Sequence, residues 1–536
     1  MGYNSQEFAI VFSKEIIVIR RVFVTSLHLC FVGSFAWGQF PSSNPNPLSP
    51  VQGTQAAGCS TTEASSCAQA AAKVTPIVMG ESPLEQNLRR LTDEIGGRVS
   101  GSPEMAKAVD WAVGAFRTAG VDVHTEKYML PHAWSEGATK LEVSGPETFP
   151  VSLVSLGLSP ATPGEGIAAP VVFIGVGSEA DFARAGSALK GAILLVYTNV
   201  SYTWADLTKE YDSPPPIIDR AVQGGAAAIL WVGERERKLL YRHTNATSGQ
   251  LEALPQAVLA REDGMRLMRT VQANPGKVHV RLTMPNKISG PVEQLNVVGE
   301  IRGYEKPDEI VVLGAHLDSW ELGTGALDNG CNAAMVIEAA RALKATGLLP
   351  RRTIRFILFS GEEEGLIGSW QYVRAHRAEL DNYRGVVIFD SGVGRVTGYS
   401  LGGRRDIEPA IREILKPFAG WNVDTHTFDA DTGTDNLDFL LEGAPTLVAN
   451  QEVANYLADY HAASDTFDKV DIRELKLNTV LAAVTVWGIA DRIEPIGKRQ
   501  SRAEVEALVK ETGLDREMKL KKLWNDFESG TRGRQP

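Results

Sequence analysis

From about residue 295 onward, the chain alternates nearly continuous apolar runs with helix-like segments. The apolar runs cover 295–301, 309–314, 353–360 and 385–389, and the helical patterns cover 333–345, 366–378 and 475–493. Strands that are apolar throughout are buried on both faces, as in a sheet sandwiched by helices. We therefore predict an α/β fold with a mixed, mostly parallel sheet in this half of the chain.

The remainder of the chain divides by composition. Residues 76–140 carry two helical patterns and a strand, and they are expected to form the first part of the domain that 291–495 completes. Residues 141–290 show short β-like runs between Gly- and Pro-rich turns, which indicate an inserted β-rich domain. Residues 496–536 form a charged tail, predicted to be a peripheral helix with a loose end.

The N-terminal segment has the features of an export signal. Arg20 and Arg21 precede an apolar run that ends in small residues, which predicts a signal peptide over 1–38. A buried or anchoring helix is the alternative, although the run is short for a membrane span. Residues 39–75 are rich in Pro, Ser, Gln, Thr and Ala and are expected to be a flexible linker. Within it, Cys59 and Cys67 either form a small disulfide loop or are two unrelated exposed cysteines.

The net charge argues against one function, and the cysteine content excludes one kind of fold. The chain has 54 basic and 65 acidic residues, a net charge of −11, which argues against binding a phosphate backbone as the main task. Four cysteines in 536 residues cannot be the main scaffold of the fold. The charge thus predicts no nucleic-acid partner. Together with the N-terminal segment, these features predict an exported protein with no stable membrane span.

Imidazole and carboxylate side chains follow the predicted strands. In chain order they are His316 and Asp318, Asp328, Glu362 and Glu363, Asp390, and His461. The carboxyl ends of parallel strands meet at one edge of a sheet, where ligands bind in open α/β folds. Nitrogen and carboxylate oxygen without thiolate suit zinc in a hydrolytic role. Taken singly, these residues are ordinary turns, helix caps or a solvated acidic face, but their order and their strand-end placement together favour a metal site.

The residue types suggest a division of roles. Asp318 can accept a hydrogen bond from the His316 ring or support the site in another way. Asp328 has two oxygens and could bridge two cations about 3.5–4 Å apart. Glu362 and Glu363 are neighbours whose side chains diverge, so one can bind metal while the other faces an attacking water.

The motifs His-Leu-Asp-Ser-Trp, Leu-Asp-Asn-Gly, Gly-Glu-Glu-Glu-Gly, Phe-Asp-Ser-Gly and Tyr-His-x-x-x-Asp-Thr resemble those of a known family. These are the di-zinc exopeptidases that include bacterial leucyl aminopeptidases and plasma glutamate carboxypeptidase. The resemblance implies two Zn²⁺ ions per chain, hydrolysis of dipeptides or of short peptides at a chain end, a protease-associated domain in the insert, and a possible homodimer. It implies zinc ligation by His316, Asp328, Glu363, Asp390 and His461, with Asp328 bridging. Glu362 would be the general base, and Asp318 and Asp465 would support the site.

Three questions stay open on the sequence. Cys331-Asn332 replaces the small Ser/Gly pair usual after Asp-Asn-Gly, which leaves the start of the following helix uncertain. The same scaffold also serves glutaminyl cyclase-like acyltransferases and catalytically dead binding proteins, and fold alone does not separate them. Neither is a preference for the amino or the carboxy end of the substrate fixed by these motifs.

Overall fold

The computed structural model describes residues 63–535. The predicted signal peptide, most of the predicted linker, and Cys59 lie outside these residues. None of the helices within 63–535 is both long and apolar enough to cross a lipid bilayer.

The main sheet has seven strands and carries the alternating half of the chain. Its strands are β1 Asp122–Leu130, β11 Val292–Ile301, β12 Lys306–His316, β13 Arg352–Phe359, β14 Tyr383–Ile388, β15 Val396–Ser400 and β16 Thr446–Gln451. They lie in the order β1-β11-β13-β12-β14-β16-β15. The four central strands, β13, β12, β14 and β16, are parallel, and the outer pairings are antiparallel. The predicted fold class is confirmed.

Helices cover both faces of this sheet. The α-helices of residues 63–535, including α4 to α7 in the region of the second sheet described below, are in chain order α1 Glu63–Met79, α2 Leu84–Arg89, α3 Pro103–Thr118, α4 Glu179–Ala185, α5 Trp204–Asp212, α6 Pro214–Gln223, α7 Arg261–Ala273, α8 Cys331–Ala345, α9 Ile367–Ala375, α10 Glu408–Ile414, α11 Leu437–Leu441, α12 Tyr456–Asp459, α13 Ile472–Asp491, α14 Arg502–Thr512, α15 Leu514–Leu520 and α16 Trp524–Glu528. Val311 and Leu313 of β12 pack against the α3, α8 and α13 side, and Ile310 and Val312 pack against the α9 and α11 side. Apolar residues at every position of a strand therefore reflect a sheet that is buried on both faces.

The chain leaves the main sheet after β1 and returns to it at β11. Between them lies a second seven-stranded sheet with the order β3-β9-β5-β6-β7-β8-β4. Its strands are β3 Lys140–Ser144, β4 Leu153–Ser155, β5 Ile167–Phe173, β6 Ile193–Val196, β7 Ala228–Val232, β8 Gln256–Leu259 and β9 His279–Thr283. A short pair, β2 Ala133–Ser135 and β10 Lys287–Ser289, stands where the chain crosses between the sheets. Strands β5 to β8 are parallel, α4 to α6 lie between them in the chain, and α7 follows β8. This region therefore contains more helix than its turn-rich sequence suggests.

The flexible linker predicted over 39–75 is wrong from Glu63 onward. That segment belongs to α1, which packs on α13 and α8. The buried positions Cys67, Ala70, Val74 and Val78 recur at helical spacing. Alanine-rich composition is common in linkers, but the same residues favour a helix that gains its stability from packing.

The loose end predicted for the tail is also wrong. Three helices, α14 to α16, bury apolar side chains against α11. Beyond them, Arg532 forms a buried bidentate ion pair with Asp438, with contacts of 2.9 and 2.7 Å. The tail is therefore an ordered part of the main domain through residue 535.

Candidate metal centre

The parallel register of the main sheet brings three strand ends together. His316, the last residue of β12, lies opposite Phe359, the last residue of β13. On its other side, Gly314 lies opposite Ile388, the last residue of β14. The loops that leave these strands carry Asp318, Glu362, Glu363 and Asp390, so the predicted convergence at one edge of the sheet is observed.

Two groups of side chains meet there, each with one histidine and two carboxylates. In the first, Nε2 of His316 lies 3.1 Å from Oδ1 of Asp328 and 3.0 Å from Oδ1 of Asp390. In the second, Nε2 of His461 lies 3.1 Å from Oδ2 of Asp328 and 3.0 Å from Oε2 of Glu363. Candidate ligand atoms within each group lie within 4.8 Å of one another. Asp328 belongs to both groups and faces each with a different oxygen.

The surroundings of the two groups fit divalent cations. Buried acidic residues around them include Asp318, Asp328, Glu363, Glu364, Asp435 and Asp465. The buried guanidinium of Arg98 faces several of them, but these carboxylates outnumber it. Oε1 of Glu363 is buried without a hydrogen-bond partner. Buried charge of one sign is costly unless it is paired or coordinates metal, and imidazole with carboxylate is a donor set that zinc accepts.

The pKa values of the site residues reflect this excess of buried carboxylates. Burial, reinforced by neighbouring carboxylates, raises the pKa of Glu363 to about 7. Burial alone would lower the pKa of His461, yet Glu363 and Asp328 raise it to about 10. Asp328 behaves in the opposite way, since hydrogen bonds from His316 and His461 lower its pKa despite burial. A cation would be attracted to this field and would replace the protons held there.

Asp318 contacts both His316 and the backbone of Glu363. Nδ1 of His316 donates to the backbone carbonyl of Asp318 at 3.0 Å, which turns Nε2 toward the carboxylates. The Asp318 carboxylate is 3.7 Å from that nitrogen, and its Oδ2 accepts from the backbone N–H of Glu363 at 3.1 Å. Of the two roles open to Asp318, the structure favours support of the Glu363 backbone.

Asp465 and Arg98 hold the loop that presents Asp328. The Asp465 carboxylate accepts from the backbone N–H groups of Ala326, Leu327 and Asp328 at 3.0, 2.6 and 3.1 Å. Arg98 donates to backbone carbonyls on the loops that flank this turn, among them those of Leu317, Thr324 and Gly325. A bridging position for Asp328 thus depends on a loop whose backbone groups are bonded from both sides.

Comparison with known proteins decides the family. The sequence model of Peptidase family M28 matches residues 296–486. Mouse carboxypeptidase Q is 30% identical over 412 residues, which span 76% of this chain and 86% of that protein. The chain belongs to peptidase family M28. This membership confirms the predicted enzyme class, a zinc-dependent exopeptidase.

Solved structures agree with the assignment. A peptidase M28 precursor from Shewanella amazonensis has a TM-score of 0.72 and 26% identity, and the match covers 82% of this chain and 99% of that one. The zinc aminopeptidase BSAP from Bacillus subtilis has a TM-score of 0.60 at 20% identity, covering 78% of this chain and 97% of that one, which is a likeness of fold.

The Cys331-Asn332 pair is compatible with the candidate metal centre. Helix α8 begins at Cys331. The side-chain amide of Asn332 donates to Oδ1 of Asn329 at 2.7 Å and to the carbonyl of Gly392 at 3.1 Å. The larger residue ties the loop after Asp328 to the loop after Asp390.

Several residues that contact the candidate metal centre are not predicted from the sequence. The hydroxyl of Tyr456 donates to Oδ2 of Asp328 at 3.0 Å. Glu364 is buried and accepts from the backbone N–H of Ser100 at 3.1 Å, although the run of three glutamates, taken alone, suggested a solvated face. Arg98 follows two glycines and suggested only a break between helices. Strand-end placement could have flagged Glu364, whereas no local signal distinguishes Tyr456 or Arg98.

Proposed function

We propose that this M28 peptidase is an exported di-zinc exopeptidase that hydrolyses dipeptides or short peptides at a chain end. One position would be held by His316, Asp328 and Asp390, and the other by His461, Asp328 and Glu363. The observation that carries the proposal is the sharing of Asp328, whose Oδ1 and Oδ2 lie 3.1 Å from the two histidine Nε2 atoms. A shared carboxylate of this kind is the usual bridge of a two-metal hydrolytic site.

Bound zinc supplies Lewis-acid chemistry, which polarises a carbonyl group and lowers the pKa of water. In this mechanism Glu362 is the general base. It belongs to neither group of candidate ligands, and its Oε2 lies 4.0 Å from Nε2 of His316 at the edge of the first group. Burial and the nearby carboxylates raise its pKa, and His316 opposes that rise. Oε2 of Glu362 would take the proton of the attacking water and pass it to the departing amine.

The test combines metal analysis with a substrate panel. The purified full chain should cleave free dipeptides, lose activity with a chelator, and regain it with zinc. Glu362→Gln should reduce kcat at least about 100-fold while two zinc ions per chain remain bound. The exposed Glu305 offers a matched control as Glu305→Gln. Full activity of Glu362→Gln, or loss of its zinc, would overturn the assignment of the base.

The preferred end of the substrate is decided by blocking each end in turn. N-blocked and C-amidated versions of one dipeptide differ only in the charged terminus that they lack. If cleavage persists only with a free carboxylate, the enzyme is a carboxypeptidase, as the name of the mouse relative states for that protein. If cleavage persists only with a free amine, it is an aminopeptidase.

We further propose a domain organisation and a cellular setting. Residues 63–140 and 291–535 would form the catalytic domain, because α1 and the C-terminal helices pack on it. Residues 141–290 would form an inserted protease-associated domain. Export rests on the signal predicted over 1–38, and sequencing the N-terminus of the secreted or periplasmic protein tests it. The homodimer rests on the family resemblance, and sedimentation of the purified protein tests it.

A further inference from the structure

The second sheet reaches into the metal centre at His461. Between β7 and β8, the backbone N–H of Arg242 donates to the carbonyl of His461 at 3.0 Å, and that of Ala463 donates to the carbonyl of Leu240 at 2.9 Å. His461 itself has a φ of 57°, which is uncommon for a residue other than glycine. The main chain of this candidate ligand is therefore held by a segment that belongs to the other sheet.

The ring of His461 has an outer partner from the same region. The hydroxyl of Tyr211, on α5, lies 3.4 Å from Nδ1 of His461 and 2.7 Å from the hydroxyl of Tyr460. Nε2 of His461 faces Asp328 and Glu363, so a neutral ring that ligates through Nε2 carries its proton on Nδ1. Nδ1–H then donates to the Tyr211 oxygen, and the Tyr211 hydroxyl donates to Tyr460.

Tyr211 is itself well fixed. The ring of His243 packs edge-on against it at 5.5 Å, and the ammonium group of Lys521 lies 5.8 Å from its centroid. The preceding residue, Glu210, is buried and accepts two hydrogen bonds of 3.1 Å from Arg235. Helix α5 is thus anchored next to the tyrosine, and the position of the hydroxyl is determined by packing on more than one side.

The histidine of the first group is oriented from within the main-sheet part of the chain. Nδ1 of His316 donates to the carbonyl of Asp318, which lies in the loop directly after β12. Both atoms belong to the main-sheet part of the chain. The two candidate cation positions are therefore oriented by different parts of the molecule.

We propose that Tyr211 is a positioning residue that orients His461 for metal binding, so that one of the two zinc positions depends on the region of the second sheet. The inference rests on the proposed function, since it assumes a cation at each group. Outer hydrogen bonds of this kind fix the ring of a metal-ligating histidine, and their loss typically weakens metal binding about 10–100-fold.

Zinc affinity of the full chain tests this directly. The metal is removed by dialysis against a chelator, and Zn²⁺ is titrated back in competition with a chromophoric chelator. The wild type should show two sites. Tyr211→Phe keeps the ring but removes the acceptor for Nδ1–H, so one site should weaken about 10–100-fold and the other should stay within about twofold. The matched control is Tyr202→Phe, because Tyr202 is 65% exposed and its hydroxyl contacts Glu236.

The outcomes separate this inference from the proposed function. If the wild type binds fewer than two zinc ions, the di-zinc proposal fails and the role of Tyr211 fails with it. If the wild type binds two ions and Tyr211→Phe leaves both affinities unchanged, or weakens both equally, only the role of Tyr211 is overturned. Tyr460→Phe is a second probe, since it removes the partner of the Tyr211 hydroxyl. Weakening of the same site supports the inference, and weakening of the other site contradicts it.

Discussion

The Tyr456 hydroxyl donates to Oδ2 of Asp328 at 3.0 Å, and Nε2 of His461 lies 3.1 Å from that same oxygen. Oδ1 of Asp328 is left to face His316 at 3.1 Å. The tyrosine therefore fixes the rotation of the carboxylate so that each oxygen points at one group. A bridging aspartate needs this orientation, because a rotated carboxylate could coordinate only one of the two cations.

Replacing Tyr456 with Phe should loosen that orientation without emptying the site. We expect Tyr456→Phe to weaken zinc binding at the His461 group about 10-fold and to lower kcat/KM by a comparable factor. The measurement is competitive zinc titration together with dipeptide hydrolysis. Tyr304→Phe, at a side chain that is 58% exposed, is the control. Unchanged zinc affinity at both positions would rule out this role for Tyr456.

Asp465 should matter for stability as well as for activity. Its carboxylate accepts three backbone N–H groups of the loop that carries Asp328. In Asp465→Asn the side-chain NH₂ group faces one or more of these donors, so we expect a loss of about 1–3 kcal/mol in the free energy of unfolding and weaker metal binding. Denaturant unfolding measures the loss. Asp468→Asn, at an exposed side chain, should change neither quantity.

The main sheet and the seven candidate site residues could be predicted because both produce local patterns in the sequence. Continuous apolar strands mark a buried sheet, and polar side chains just after those strands mark its edge. Helix α1 left a weaker mark, since Ala70, Val74 and Val78 recur at helical spacing inside a segment whose composition resembles a linker.

Other features depend on contacts between residues that are distant in the chain. Tyr456 reaches Asp328 across 128 positions. Tyr211 meets His461 across 250, through a chain path that passes between two sheets. A single tyrosine in a helix or a loop has no pattern that announces such a partner.

The ordered tail gives a third prediction. Arg532 and Asp438 are both buried, so Arg532→Met leaves an unpaired buried carboxylate and should cost about 3–5 kcal/mol in the free energy of unfolding. The double variant Arg532→Met/Asp438→Leu should recover much of that loss. Arg516→Met, at an exposed site, is the control. An unchanged melting temperature in Arg532→Met would show that the tail contributes little.

Glu252 lies in the region of the second sheet, and we expect its ionisation to make the stability of the protein depend on pH. Burial raises its pKa to about 8, although Thr244 and Gln256 bond to its oxygens. Between its ordinary pKa and about 8, the folded state holds a proton that the unfolded state releases. The contribution of Glu252 to stability therefore falls as pH rises through this window. Glu252→Gln removes this term, so its melting temperature relative to the wild type should rise from pH 5 to pH 8. Glu165→Gln, at an exposed side chain, should show no such trend.

The central claim is that Asp328 bridges two zinc ions, and anomalous diffraction at the zinc absorption edge tests it most directly. Crystals of the zinc-loaded full chain should give two anomalous peaks about 3.5–4 Å apart. One peak should lie beside His316 and Asp390 and the other beside His461 and Glu363, with the Asp328 carboxylate between them. A single peak, or two peaks with no oxygen of Asp328 between them, would contradict the account.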